Sequence, residues 1–217
     1  MDMERFHRQL DILNPEVFAK VPVTVIGAGA TGSFTALTLA KMGLQDITVY
    51  DFDTVEKHNL PNQFYRESDL GKPKVEALKE IVSEFEGIDI TAKNEKYKGQ
   101  RLKGIVIVCI DSMDTRVNIW RFVKGNPDVP FFIDSRMGAE VMQVFCLYPP
   151  DLSQCAKYEK NLFPSSEAFQ ERCTAKTIMY TVLGLASIIA DQVKKFLVGE
   201  TVRREITFDM KTLTFIG

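Results

Sequence analysis

The chain has 217 residues, 45% of them apolar and 26% charged, an ordinary globular composition and enough for one sizeable core. A formal charge of −2 lacks the basic excess of nucleic-acid surfaces and anionic-membrane binders, so neither is expected as a partner; a small molecule or a protein is. The first ten residues include acidic side chains and no apolar signal core, and the longest uncharged stretch, 177–190, is shorter than the ~20 residues of a spanning helix, so the protein is read as cytoplasmic.

Taken in order, 1–19 carries Phe6, Leu10, Ile12, Leu13 and Val17 around Pro15, an arm of one or two short helices. Residues 23–26 form an apolar strand that turns at Gly27-Ala28-Gly29-Ala30-Thr31-Gly32 into a helix through Met42. A second strand, 46–50, ends at Asp51, and the polar stretch 58–71 reads as a loop over the sheet's carboxyl edge. Pro73 opens a helix whose stripe is Val75, Leu78, Ile81, Val82 and Phe85. Strands are expected at 88–91, 104–110, 129–133 and, antiparallel, 139–147, with a helix over 117–123 for which Asp114 is the better-placed cap and Asp111 the other candidate. Residues 149–172 are the least regular. Residues 177–197 form a long, nearly uncharged helix that reads as central and buried, followed by short strands at 205–208 and 212–216. The sum is a single α/β domain over 1–217: an open, mostly parallel Rossmann-like sheet with helices on both faces and antiparallel C-terminal strands.

Chemistry concentrates on the carboxyl edge. Gly27 allows a tight turn, Gly29 lets backbone approach a phosphate and Gly32 lets the helix pack closely, while the helix N-terminus offers N–H groups to an anion. Asp51, about 20 residues on, can accept hydrogen bonds from ribose hydroxyls. Lys74 stands at a helix N-terminus, where the dipole disfavours a cation, and a neighbouring anion would resolve that cost. The four cysteines, Cys109, Cys146, Cys155 and Cys173, form no CxxC pair and fit a reducing compartment; Cys109 and Cys146 lie in apolar strand patterns and read as core.

Beyond Asp51 the motifs become specific. Asp51-Phe52-Asp53-Thr54-Val55, Asn59-Leu60 with Gln63-Phe64, Gly71-Lys72-Pro73-Lys74, the N-terminal Arg5-Phe6-His7-Arg8-Gln9 and Cys109-Ile110-Asp111 through Arg116 resemble, in order and spacing, the adenylating domain of the ThiF/MoeB and ubiquitin-activating enzyme superfamily. The resemblance implies ATP and Mg²⁺, and activation of the C-terminal carboxylate of a ubiquitin-like or sulfur-carrier protein ending in Gly-Gly, by a homodimer. It implies that Lys74 contacts phosphate, that Asp111 handles the metal, that Arg8 enters the partner subunit's site, and that Gly27, Gly29, Gly32, Asp51, Asp53, Asn59, Asn62, Gln63 and Arg66 bind nucleotide. Arg116 could orient Asp111 or touch a phosphate.

Two departures stand out: relatives with paired CxxC motifs hold a structural zinc, so none is expected here, and Asn62 replaces a family arginine, with Arg66 a candidate to share its load. Cys173 resembles the thiol some relatives use to bond the carrier, and Cys155 in the expected crossover loop is the competitor. Other readings are a tRNA-modifying dehydratase of the same superfamily, a catalytically impaired scaffold subunit and, from another class, an NAD-dependent dehydrogenase.

Overall fold

The computed structural model describes residues 3–164 and 178–217. Eight strands form one sheet in the order β3-β2-β1-β4-β5-β6-β7-β8. The apolar runs β1 (Val23–Ile26) and β4 (Ile105–Val108) are buried at every position and pair in parallel, as central strands covered on both faces must. β2 (Ile47–Asp51) and β3 (Thr91–Asn94) continue the parallel half on one side, and β5 (Phe131–Gly138) on the other. β6 (Val141–Leu147), β7 (Glu205–Asp209) and β8 (Thr214–Ile216) add on as antiparallel neighbours.

Alternate side chains of each strand face opposite layers. Val23 and Val25 of β1 join α2 (Ala30–Lys41), α3 (Lys74–Glu86) and α6 (Met179–Leu197) in the larger apolar layer. Val106 and Val108 of β4 join α4 (Met113–Val123) and α5 (Leu152–Glu159) in the other. α2 lies between sheet and α6, which is why nine of its residues are buried. Phe131 and Phe196 stack at 4.4 Å where α6 ends over β5.

Four expectations change. The third strand is Thr91–Asn94 rather than 88–91; it is an exposed edge strand, and Ile90 is buried just before it. The fifth strand runs on to Gly138. α5 occupies ground expected to be irregular, with Asp151 capping it by accepting the N–H groups of Ser153 and Gln154. α6 is not buried all round: Met179, Tyr180 and Leu183 on its first turns are 37–48% exposed. The N-terminal arm holds α1 (Pro15–Phe18), capped by Asn14, and a short 3-10 turn over Glu4–Phe6.

Candidate nucleotide site on the carboxyl rim

β1 and β4 are adjacent in the sheet, yet their connections run to opposite sides, and this reversal leaves a crevice beyond their carboxyl ends. The loops leaving the two strands meet there. Gly27 has φ +101°, and a Cβ on it would stand 2.4 Å from the Cys109 carbonyl oxygen; a Cβ on Gly32 would stand 1.8 Å from the Gly27 carbonyl oxygen. Gly29 differs: an added Cβ would meet nothing within 4 Å. Two glycines therefore close the turn, while the third borders open space at the start of α2, a helix with no side-chain N-cap.

Side chains brace this loop from the neighbouring elements. The Asp51 carboxylate, at the end of β2, accepts the N–H groups of Ala28 at 2.6 Å and Asp53 at 2.8 Å. Tyr65 donates its hydroxyl to the Ala28 carbonyl at 2.6 Å, and Ser33 Oγ accepts the Phe64 N–H at 3.0 Å. Burial, reinforced by the charges of Asp51 and Asp69, raises the Tyr65 pKa well above its ordinary value, which keeps the hydroxyl a donor. Asn59 is buried and accepts the Glu56 N–H at 2.9 Å. Asn62 Oδ1 and Gln63 Oε1 are buried without a hydrogen-bond partner among the described residues.

Lys74 begins α3, its side chain only 8% exposed, with Nζ 3.1 Å from Asp53 Oδ2; Asp53 itself is half exposed. Asp111 is exposed beyond β4. The cap of α4 is neither Asp111 nor Asp114 but Ser112, whose Oγ accepts the Thr115 N–H. Arg116 is buried behind the rim, where it pairs with Asp134 and donates to the Ile110 carbonyl at 2.6 Å.

Arg66 is drawn toward carboxylates. It meets Asp69 at 2.9 Å and Glu84 at 2.5 Å, and hydrogen bonds to these two raise its pKa. Asp69 is fully buried and also receives Lys72 at 3.3 Å. At Asp69 burial pushes the pKa up, but the hydrogen bonds from Arg66 and Lys72 outweigh it and the carboxyl ends below its ordinary value.

The N-terminal arm docks elsewhere. Arg5 donates to the carbonyls of Phe85 and Glu86 and pairs with Glu86 at 2.8 Å; Gln9 donates to the Met42 carbonyl at 2.8 Å, and Phe6 is buried between. The arm thereby satisfies the orphan carbonyls at the ends of α2 and α3. Arg8 is left exposed. α3 has 13 residues and, at 1.5 Å per residue, separates Lys74 from Glu86 by about 18 Å.

Cys173 lies outside the described residues. Cys155 is fully buried in α5, its thiol donating to the Pro149 carbonyl at 3.2 Å, and burial raises its pKa. Burial also pushes Cys109 to about 12 and raises Cys146. None of these three is poised as a thiolate.

An open, doubly wound α/β sheet with a glycine turn at its switch point defines the class. The chain belongs to the ThiF family, whose model matches residues 11–216. It is 38% identical over 119 residues to the NEDD8-activating enzyme E1 catalytic subunit of Caenorhabditis elegans, covering 52% of this chain and 27% of that relative. The sulfur carrier protein ThiS adenylyltransferase of Escherichia coli K12 is 27% identical over 201 residues, 88% of this chain and 78% of that relative. Among solved structures, PaaA superposes with a TM-score of 0.78 at 18% identity, covering 99% of this chain and 72% of that one, a likeness of fold. The chain spans 26–33% of the length of the first three curated relatives.

Proposed function

We propose that this chain binds ATP with Mg²⁺ on the carboxyl rim and activates the C-terminal carboxylate of a ubiquitin-like or sulfur-carrier protein as an acyl-adenylate. The observation that carries the reading is the open space at Gly29, beside an uncapped helix start, with Lys74 at the start of α3 and Asp111 just beyond β4, in a chain matched to the ThiF family along almost its whole length. The rim fits the ligand: Gly29 leaves room for phosphate, and the amide oxygens of Asn62 and Gln63, buried without a partner among the described residues, are acceptors suited to a ribose hydroxyl or an adenine amine.

A chain-terminal carboxyl ionises near pKa ~3.5, so the nucleophile is charged at neutral pH without a general base. Its oxygen attacks the α-phosphorus, the P–O bond to the β-phosphate breaks, and pyrophosphate leaves. The protein's task is to position two anions and offset their charge. Lys74 and the N–H groups of α2 would hold the phosphates and Asp111 the cation, while Asp51, which braces the loop, would accept from the ribose hydroxyls. Mg²⁺, when bound, would supply positive charge that offsets the charge of the triphosphate.

Arg8 supports a homodimer: its arm is fastened at the foot of α3, about 18 Å of helix from Lys74, so its guanidinium is suited to a second copy's site. Cys173 remains the candidate thiol for any covalent step, a Gly-Gly end is the proposed carrier tail, and a cytoplasmic setting suits the three free thiols among the described residues. No helix among the described residues is long and apolar enough to cross a membrane.

One observation favours a second reading, a scaffold subunit with impaired chemistry: Asn62 lacks the guanidinium the resemblance calls for, and Arg66 is held by carboxylates. ATP–pyrophosphate exchange with candidate carriers separates the two. Carrier-dependent exchange is the expected result; nucleotide binding without exchange for any carrier favours the scaffold.

A further inference from the structure

Among the groups that the rim does not use, the most heavily built is a buried charge cluster under the end of β4. Asp134 on β5 is fully buried and faces α4 and α5. One carboxylate oxygen takes Arg116 Nη1; the other takes Arg136 Nε at 3.0 Å and the Tyr158 hydroxyl at 2.9 Å. Two guanidinium groups thus share one carboxylate, and Arg116 Nε has no hydrogen-bond partner among the described residues.

A cluster that is one positive charge in excess is an expensive way to hold a core together, since apolar side chains of similar volume pack there at no desolvation cost. What the arrangement does supply is grip on the strand end. Arg116 Nη2 donates to the Ile110 carbonyl at 2.6 Å, the residue before Asp111, and the neighbouring Ser135 Oγ donates to the Val108 carbonyl at 2.9 Å. The regular ladder between β4 and β5 ends at Val108, so these two side-chain bonds hold carbonyls at and beyond its last rung. Arg136 carries the same anchor to the end of α5 by donating to the Asn161 carbonyl at 2.8 Å.

We infer that Asp134 and Arg116 are positioning residues that fix the carboxyl end of β4 and thereby the place of Asp111 on the rim. The guanidinium is required because it spans two acceptors at once: one arm pairs with Asp134 while the other reaches the Ile110 carbonyl, a fork that an ammonium cannot reproduce. Asp111 itself has no backbone ladder to hold it. Its use rests on the adenylation reading; the anchoring of the strand end does not.

The test compares Arg116→Lys, which keeps the charge opposite Asp134 but loses the fork, with Phe196→Leu, a core change in the opposite layer that controls for lost stability. Amide hydrogen exchange is read across 109–113, together with titration of ATP in the presence and absence of Mg²⁺. In Arg116→Lys, exchange across 109–113 accelerates at least tenfold relative to the rest of the sheet, and affinity for ATP with Mg²⁺ falls about tenfold while metal-free ATP binding holds. In Phe196→Leu, 109–113 moves only with the rest of the sheet. Wild-type exchange across 109–113 in Arg116→Lys, or the same local acceleration in Phe196→Leu, overturns the inference. If the wild-type chain binds no nucleotide, the adenylation reading fails, while the exchange comparison still decides the anchor.

Discussion

Helix α3 carries an ion cluster at each end, and the two are built on opposite plans. Each charge opposes the helix dipole: Lys74 at the positive end, Glu86 at the negative. At the foot, Glu86 is almost buried and receives both Arg5 and Lys41 at 2.8 Å, so the conflict is settled within the chain. At the head, Lys74 is equally buried but has a single carboxylate partner among the described residues, the half-exposed Asp53, and open space at the nearby glycine loop. The closed cluster anchors the N-terminal arm, and the open one is where the proposed function places the nucleotide phosphates.

The largest expected effect lies at the head. Lys74→Ala should reduce ATP–pyrophosphate exchange at least 100-fold, about 2.7 kcal/mol of transition-state stabilisation, with a melting temperature close to wild type. A large thermal loss with normal exchange would reverse the roles assigned to the two ends. At the foot, Glu86→Ala leaves two half-exposed cations that rehydrate, so the cost is about 2 kcal/mol, a fall of about 4–8 °C in melting temperature for a domain of this size. Binding of ATP to the same subunit should be nearly unchanged.

The Asp69 network, midway between these two, sharpens the contrast by pH. Its folded pKa is lowered, so its stabilisation is complete above the unfolded value of about 3.9 and drains as pH falls toward the folded value. The gap in melting temperature between wild type and Asp69→Asn should therefore stay constant from pH 7 to 5 and shrink below about pH 4. A gap that shrinks already between pH 7 and 6 would contradict the lowered pKa. The smallest effect is expected for Arg66→Gln: with its guanidinium held by Asp69 and Glu84, its removal should change exchange less than about fivefold. A loss matching that of Lys74→Ala would show that Arg66 leaves its carboxylates for phosphate.

The central parallel strands were legible because burial on both faces writes nearly continuous apolar runs, as at Ile105–Val108 and, apart from Thr24, at Val23–Ile26. β3 was misplaced because an exposed edge strand has no apolar pattern, and the apolar Ile88 and Ile90 before it drew the expectation three residues early. α5 did leave a signal that went unread: Asp151 as cap, then Leu152, Cys155 and Tyr158 at three-residue spacing. α6 was read as buried all round because uncharged composition does not distinguish a core face from an exposed apolar one. On the rim, the placement of the glycines, Asp51, Lys74 and Asp111 at strand ends and helix starts was legible, while the ligand roles proposed for them rest on the resemblance. Tyr65, Ser33 and Asp134 were missed because their value lies in long-range hydrogen bonds, of Tyr65 to Ala28, Ser33 to Phe64, and Asp134 to Arg116 and Tyr158, which no local spacing encodes.

The central claim is that the carboxyl rim takes ATP with Mg²⁺ through Lys74 and Asp111, and calorimetric titration of ATP, with and without Mg²⁺, into wild type, Lys74→Ala and Asp111→Ala tests it most directly. The account predicts saturable binding to wild type, at least tenfold weaker binding to Lys74→Ala under both conditions, and an Asp111→Ala defect confined to the Mg²⁺ titration. Equal binding by all three proteins, or none by the wild type, would contradict it.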